Sequence, residues 1–206
     1  MSAPVPVLVV SDGPRDAAML PPLVSTILGA EVQAVAARAW SSVVLRRGGG
    51  YDRKLRFVLR EALDQGARGV VATVDRDRAR RGSRLADLVA GRDAERQDPR
   101  SPAAHLPTAL GEADPHAEAW LLDDPKAVRA ALGLDGRTEV LNVRRGSPKD
   151  ALDALFEGSD ERPLDLLAAV AREVDPGRCA HARETELEAF CDEVRRELGP
   201  LAAAPS

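Results

Sequence analysis

The chain has 206 residues, of which 44% are apolar, 30% charged and only 3% aromatic; this suits one domain, or one domain with a helical appendage, and a core of Leu, Val and Ala. No apolar run approaches the ~18 residues a membrane span needs, and Met1 to Pro6 places no basic segment ahead of its apolar stretch, so neither a membrane span nor a signal peptide is read and the cytoplasm is expected. The net charge of −4 argues against a nucleic-acid binder, yet Arg38 to Arg84 holds 13 Arg and Lys against 5 Asp and Glu, a segment that suits either a phosphate-binding face or a solvated surface.

Val5 to Val10 reads as a short apolar strand stopped by Asp12-Gly13-Pro14. Asp16 to Leu28 is helical in composition, with Pro21-Pro22 expected to interrupt or bend it. Val32 to Trp40 is a second strand candidate, followed by a loop with Gly48-Gly49-Gly50. Leu55, Val58, Leu59 and Leu63 form one stripe, so Tyr51 to Gln65 is an amphipathic helix. Gly69 to Val74 is a third strand, a helix is expected around Leu85 to Ala90, and Leu106 to Leu110 is a fourth strand candidate. Strands alternating with helices predict an α/β fold with a mostly parallel sheet between helices, and continuous apolar runs are what such doubly covered strands look like.

Beyond residue 112 the pattern becomes helical. Asp114-Pro115, Asp124-Pro125 and Ser147-Pro148 each set a capping residue before a proline suited to the first helical position. The last helix, Glu184 to Leu198, carries apolar residues at 187, 190, 191, 194 and 198, and Leu201 to Ser206 reads as a frayed tail. The division is therefore a single domain over 1–200, with an α/β core over 1–112 and a helical part over 113–200. Cys191 falls on the apolar stripe of the last helix, which predicts a buried reduced thiol rather than a disulfide with Cys179.

The chemistry concentrates at strand ends. In "VVATVDRDRARRG", Asp75 and Asp77 follow the third strand; if extended geometry persists they face the same side. At roughly 6 Å two such carboxylates repel by about 3 kcal/mol at an effective dielectric near 20, so a cation, arginines or open water must offset them. In the alternative, Asp77 caps the next helix and Asp75 is solvated. Asp12 follows the first strand as Asp75 follows the third. In parallel sheets ligands bind beyond the carboxyl ends of strands, and three converging carboxylates suit Mg²⁺ or Mn²⁺. Asp16 either faces the same space or serves the dipole of the helix it begins.

A strand ending in acid-Gly-Pro-x-Asp ("VLVVSDGPRD"), a helix, and a later strand ending in Asp-x-Asp ("VVATVDRD") resembles the Toprim domain of topoisomerases, primases and overcoming-lysogenization-defect nucleases. "ADPHAEAWLLDD" (Ala113 to Asp124) resembles the Pro-x-x-Glu-Ala-Trp-Leu-x-x-Asp segment of small stand-alone Toprim-like proteins of unknown function, and "SPKDAL" (Ser147 to Leu152) a Pro-Lys segment of the same family. The resemblance spans most of residues 5 to 198. It implies a compact α/β fold with an acidic Mg²⁺ site and a phosphodiesterase or nuclease activity. Asp12, Asp75 and Asp77 stand at its metal-binding positions, and Glu118 at the acid of the Glu-Ala-Trp segment. Toprim usually carries Glu where this chain has Asp12; the carboxylate then falls about 1.5 Å short, enough to weaken a positioned proton transfer. A non-catalytic Toprim-like module in a multi-protein assembly is thus a second expectation. A receiver-type phosphoacceptor is a third, but it expects the acidic pair after the first strand.

Arg76, Arg78, Arg80, Arg81 and Arg84 are candidates to neutralise a nucleic-acid backbone, or they only balance Asp75 and Asp77. Lys149 is a candidate phosphate contact or an exposed first-turn lysine, and Glu118 a site acid or a dipole-serving one. His116, placed about 200° from Glu118 on a helix, reads as a surface residue, and Trp120 as core. Ser25, Ser41 and Ser42 have no recognisable His partner, and Arg46-Arg47-Gly48-Gly49-Gly50 lacks the signature of a nucleotide-binding P-loop.

Overall fold

In a computed structural model the chain is described over residues 3–46, 48–76, 79–140 and 147–203. Four parallel strands form one sheet in the order β2-β1-β3-β4: β1 (Val5–Ser11), β2 (Val32–Ala39), β3 (Gly69–Asp75) and β4 (Thr108–Ala113). Every residue of β3 and β4 is buried, as expected of strands covered on both faces. Their alternate side chains feed two cores. Val7, Val9, Val71 and Ala109 pack toward α1 (Pro14–Leu28), α7 (Pro163–Glu173) and α8 (Leu187–Ala203). Leu8, Val10, Val70, Ala72 and Leu110 pack toward α2 (Tyr51–Asp64) and α3 (Ser83–Gln97). Three short helices, α4 (Glu118–Leu122), α5 (Pro125–Leu132) and α6 (Pro148–Phe156), complete the helical part.

Several boundaries depart from expectation for physical reasons. Helix α1 runs unbroken through Pro21 and Pro22; the hydroxyls of Ser25 and Thr26 donate to the Pro21 and Pro22 carbonyls, and the buried stripe of Met19, Leu20, Leu23 and Val24 holds the helix on the sheet. On α2, Leu55, Val58 and Leu59 are buried, but Ala62 rather than Leu63 closes the stripe, and Leu63 is exposed. Strand β4 lies two to three residues later than read. Of its polar members, Glu112 accepts from the Gly82 N–H through Oε1 at 2.7 Å, while its Oε2 is buried with no hydrogen-bond partner among the described residues. Asp114 is not a helix cap: its carboxylate pairs with Arg76, and α4 begins only at Glu118. Asp124 and Ser147 do cap, accepting from the N–H groups of Ala127 and Asp150. Helix α8 begins at Leu187 and continues through Leu201 to Ala203, with its predicted stripe of Leu187, Phe190, Cys191, Val194 and Leu198 buried. Trp120 is wholly buried, stacked on Phe190 at 4.8 Å and donating its indole N–H to the Thr185 carbonyl. Both cysteines are free thiols, and Cys191 is buried.

The close approach of α3 to the start of α2 depends on Gly91. A Cβ there would lie 2.4 Å from the Asp52 carbonyl oxygen, a backbone atom with no rotamer to escape into. Gly91→Ala is therefore expected to lose about 1–3 kcal/mol of stability, read from urea unfolding; an unchanged midpoint would refute this account of the helix contact.

Candidate functional site

Three loops meet at the carboxyl end of the sheet. Strands β1 and β3 are neighbours, with Val10 opposite Ala72, and β4 ends with Ala113 opposite Asp75. The first residue past β1, the last of β3 and the segment after β4 are thereby brought side by side. Asp12 Oδ2 accepts the backbone N–H of Asp75 at 2.5 Å. Asp75 is buried. Its Oδ1 accepts from the Ala117 N–H at 3.0 Å, and its Oδ2 lies 3.0 Å from His116 Nδ1 and 3.5 Å from Lys149 Nζ. Its carbonyl accepts from Arg84 at 2.5 Å.

Two further acids come from flanking helices. Asp16, in the first turn of α1, reaches back to accept from the Gly13 N–H at 3.2 Å, and it is buried. Burial pushes its carboxyl up to about 7, and the charges of Asp75, Glu118 and Asp12 add to the rise, while Lys149 opposes it. Glu118 is wholly buried. Its Oε1 accepts from Arg15 Nε at 2.7 Å, and Arg15 is held in turn by Asp153 at 2.7 Å. Glu118 Oε2 is buried with no hydrogen-bond partner among the described residues. Burial disfavours the charged form of Lys149, but Glu118, Asp75 and Asp16 outweigh it and raise the amine above its ordinary value.

Four carboxylates, Asp16, Asp75 and Glu118 buried and Asp12 half-buried, lie within electrostatic reach of one another, with Lys149 facing them and Arg15 paired to Glu118. The donors are oxygens, Glu118 Oε2 has no hydrogen-bond partner among the described residues, and burial and the neighbouring carboxylates together raise Asp16. That fits a hard divalent cation in charge and donor type. A ready-made cage is absent: among the described residues no three or more His, Cys, Asp or Glu are grouped to hold a metal ion.

Of the residues singled out in the sequence, Asp12, Asp75, Glu118 and Lys149 are brought together. Asp77 and Arg78 lie outside the described residues. Arg76 pairs with Asp114 and Arg81 with Glu186, while Arg80 is exposed. His116 is not the surface residue expected. It precedes α4 rather than riding on it, so helical angles do not apply, and its ring meets Asp75. Arg15 escaped notice because its partners are 103 and 138 residues away. Elsewhere, burial pushes the Cys179 and Cys191 thiols up to about 12 and 11, so neither supplies a thiolate at neutral pH. No described helix is long and apolar enough to cross a membrane.

Comparison of the chain with protein-family models, with curated proteins and with solved structures finds no match.

Proposed function

We propose that the protein is a Toprim-like, Mg²⁺- or Mn²⁺-dependent phosphodiesterase acting on nucleic acid in the cytoplasm. The observation that carries the reading is the convergence of Asp12 and Asp75, at the ends of adjacent parallel strands, with Asp16 and Glu118 from flanking helices and Lys149 beside them. Asp12 and Asp75, with Asp77 following, would hold the cation, which when bound supplies neutralisation of the phosphoryl oxygens. Lys149 would contact a phosphate oxygen, giving up its 3.5 Å approach to Asp75 as the anion arrives. Arg15 fixes the Glu118 carboxylate. Asp16, held above the ordinary carboxylate range by burial and by Asp75, Glu118 and Asp12, adds a further carboxylate beside the proposed ligands. His116, on the same Asp75 oxygen as Lys149, orients the Asp75 carboxylate.

The second reading, a binding module without catalysis, draws support from Asp12, which is engaged with the Asp75 backbone and one methylene shorter than the usual glutamate. One experiment separates the two. Hydrolysis of bis(p-nitrophenyl) phosphate is followed with Mg²⁺, Mn²⁺ or EDTA, alongside calorimetric titration of each metal. Metal-dependent turnover supports the enzyme. Metal binding without turnover on this diester or on labelled oligonucleotides leaves the module, and neither binding nor turnover overturns the metal site.

A further inference from the structure

Arg76 and Arg81, expected to grip a phosphate backbone beside the site, are turned onto Asp114 and Glu186. A different basic surface lies on the outer face of α2. Arg53, Arg56, Phe57 and Arg60 share one helical face, at spacings of three and four residues. Together with Leu45 they line a groove of about 370 Å³. Phe57 is 49% exposed, unusual for an aromatic ring in a chain with so few of them. The arginines beside it are pre-positioned. Glu95, wholly buried beneath, accepts from Arg56 Nε at 2.9 Å and Arg60 Nε at 2.6 Å, and Asp98 lies 3.7 Å from each; these pairs hold both side chains at the surface while leaving them 37% and 48% exposed. Arg53 is exposed.

From this arrangement we infer that the outer face of α2 is a docking surface for single-stranded nucleic acid, with the arginines on the phosphates and Phe57 stacked on a base. An exposed ring flanked by guanidinium groups is what a sequence-tolerant stacking platform consists of. Stacking on Phe57 needs an unpaired base, which a duplex does not present. A second copy of the chain on the same face would set arginine against arginine, a like-charge arrangement that docking surfaces avoid. The placement also connects to the acidic site. Tyr51 begins α2 and lies 6.0 Å beneath the Arg84 guanidinium, which donates to the Asp75 carbonyl. Arg53 is the end of this roughly 10 Å patch nearer the carboxyl end of the sheet, on the face opposite α1. The inference deepens the proposed function and rests on its nucleic-acid substrate.

Binding is tested apart from catalysis, in EDTA, by fluorescence anisotropy of a short labelled oligothymidylate, an oligouridylate and a duplex, with poly-glutamate as the acidic polypeptide. The wild type should bind a single strand more tightly than the duplex, with an affinity that falls as salt rises, with a logarithmic slope of about −2 for three phosphate contacts. Arg53→Glu and Phe57→Ser, both at exposed positions, should each weaken it by about tenfold, with thermal unfolding unchanged. Absence of single-strand binding by the wild type overturns the inference. So do variants that bind as the wild type does, or poly-glutamate binding as tightly as the oligonucleotides. Each of these outcomes leaves the turnover of bis(p-nitrophenyl) phosphate to decide the acidic site independently.

Discussion

Asp16→Asn should stabilise the protein by up to about 4 kcal/mol at a pH near 8 and by little below a pH of about 4. Burial, then Asp75, Glu118 and Asp12, raise the Asp16 carboxyl to about 7 from an ordinary value of 3.8. The folded state therefore keeps a proton on Asp16 that the unfolded chain releases. Below the unfolded value both states are protonated and Asp16 costs nothing. Between about 4 and 7 the folded state binds more protons, so stability falls as pH rises, by about 1.4 kcal/mol per unit. Above 7 the folded state holds an ionised carboxylate against its neighbours and the full penalty is present. Asparagine keeps an oxygen for the Gly13 N–H and carries no charge, so it removes the slope. Urea unfolding of both proteins across this pH range reads the difference directly. Parallel curves for the variant and the wild type would show that Asp16 ionises as an ordinary surface acid. Millimolar Mg²⁺ should do to the wild type what the substitution does, flattening the slope by neutralising the cluster; with Asp16→Asn the same addition should gain less.

What the sequence disclosed and what it hid follow from the range of the interactions. Strands β1 and β3 were legible because both faces are covered and the run is almost wholly apolar, as in Val7 to Val10 and in Val70 to Val74, where only Thr73 is polar. The stripe of α8 was legible because a single sheet face absorbs it. Helix α3 was seen only in its first half. Its second half, Gly91 to Gln97, is fixed by charge rather than by an apolar period: Arg92 pairs with Glu193, and Glu95 takes Arg56 and Arg60. Such pairs join residues 35 to 101 positions apart, and no local pattern encodes them. The same holds at the site. Asp12 and Asp75 could be matched because each ends an apolar strand. His116, Arg15 and the burial of Asp16 depend on which strands are neighbours, and so on the order β2-β1-β3-β4.

The second large effect is on turnover. Asp75→Asn should lower metal-dependent diester hydrolysis by at least about a thousandfold, equivalent to about 4 kcal/mol of transition-state stabilisation, while the chain stays folded. The Ala117 N–H still finds an oxygen acceptor in asparagine, so the loop after β4 keeps its anchor. What is lost is the charge that faces Lys149 and His116 and would face the cation. The measurement that distinguishes a functional carboxylate from a structural one is the pair of turnover and metal affinity, both set against the unfolding midpoint. A carboxylate that holds the cation should lose turnover and calorimetric Mg²⁺ binding together, with the midpoint shifted by no more than about 2 kcal/mol. Arg15→Gln supplies the contrast, since Arg15 acts through Glu118 and Asp153 and stands apart from the proposed ligands. It should leave Mg²⁺ affinity nearly intact and reduce turnover by about tenfold to a hundredfold, the scale of an interaction that orients a site group. If Asp75→Asn retains a tenth or more of wild-type turnover, the carboxylate at the end of β3 anchors the loop and the site does its chemistry elsewhere.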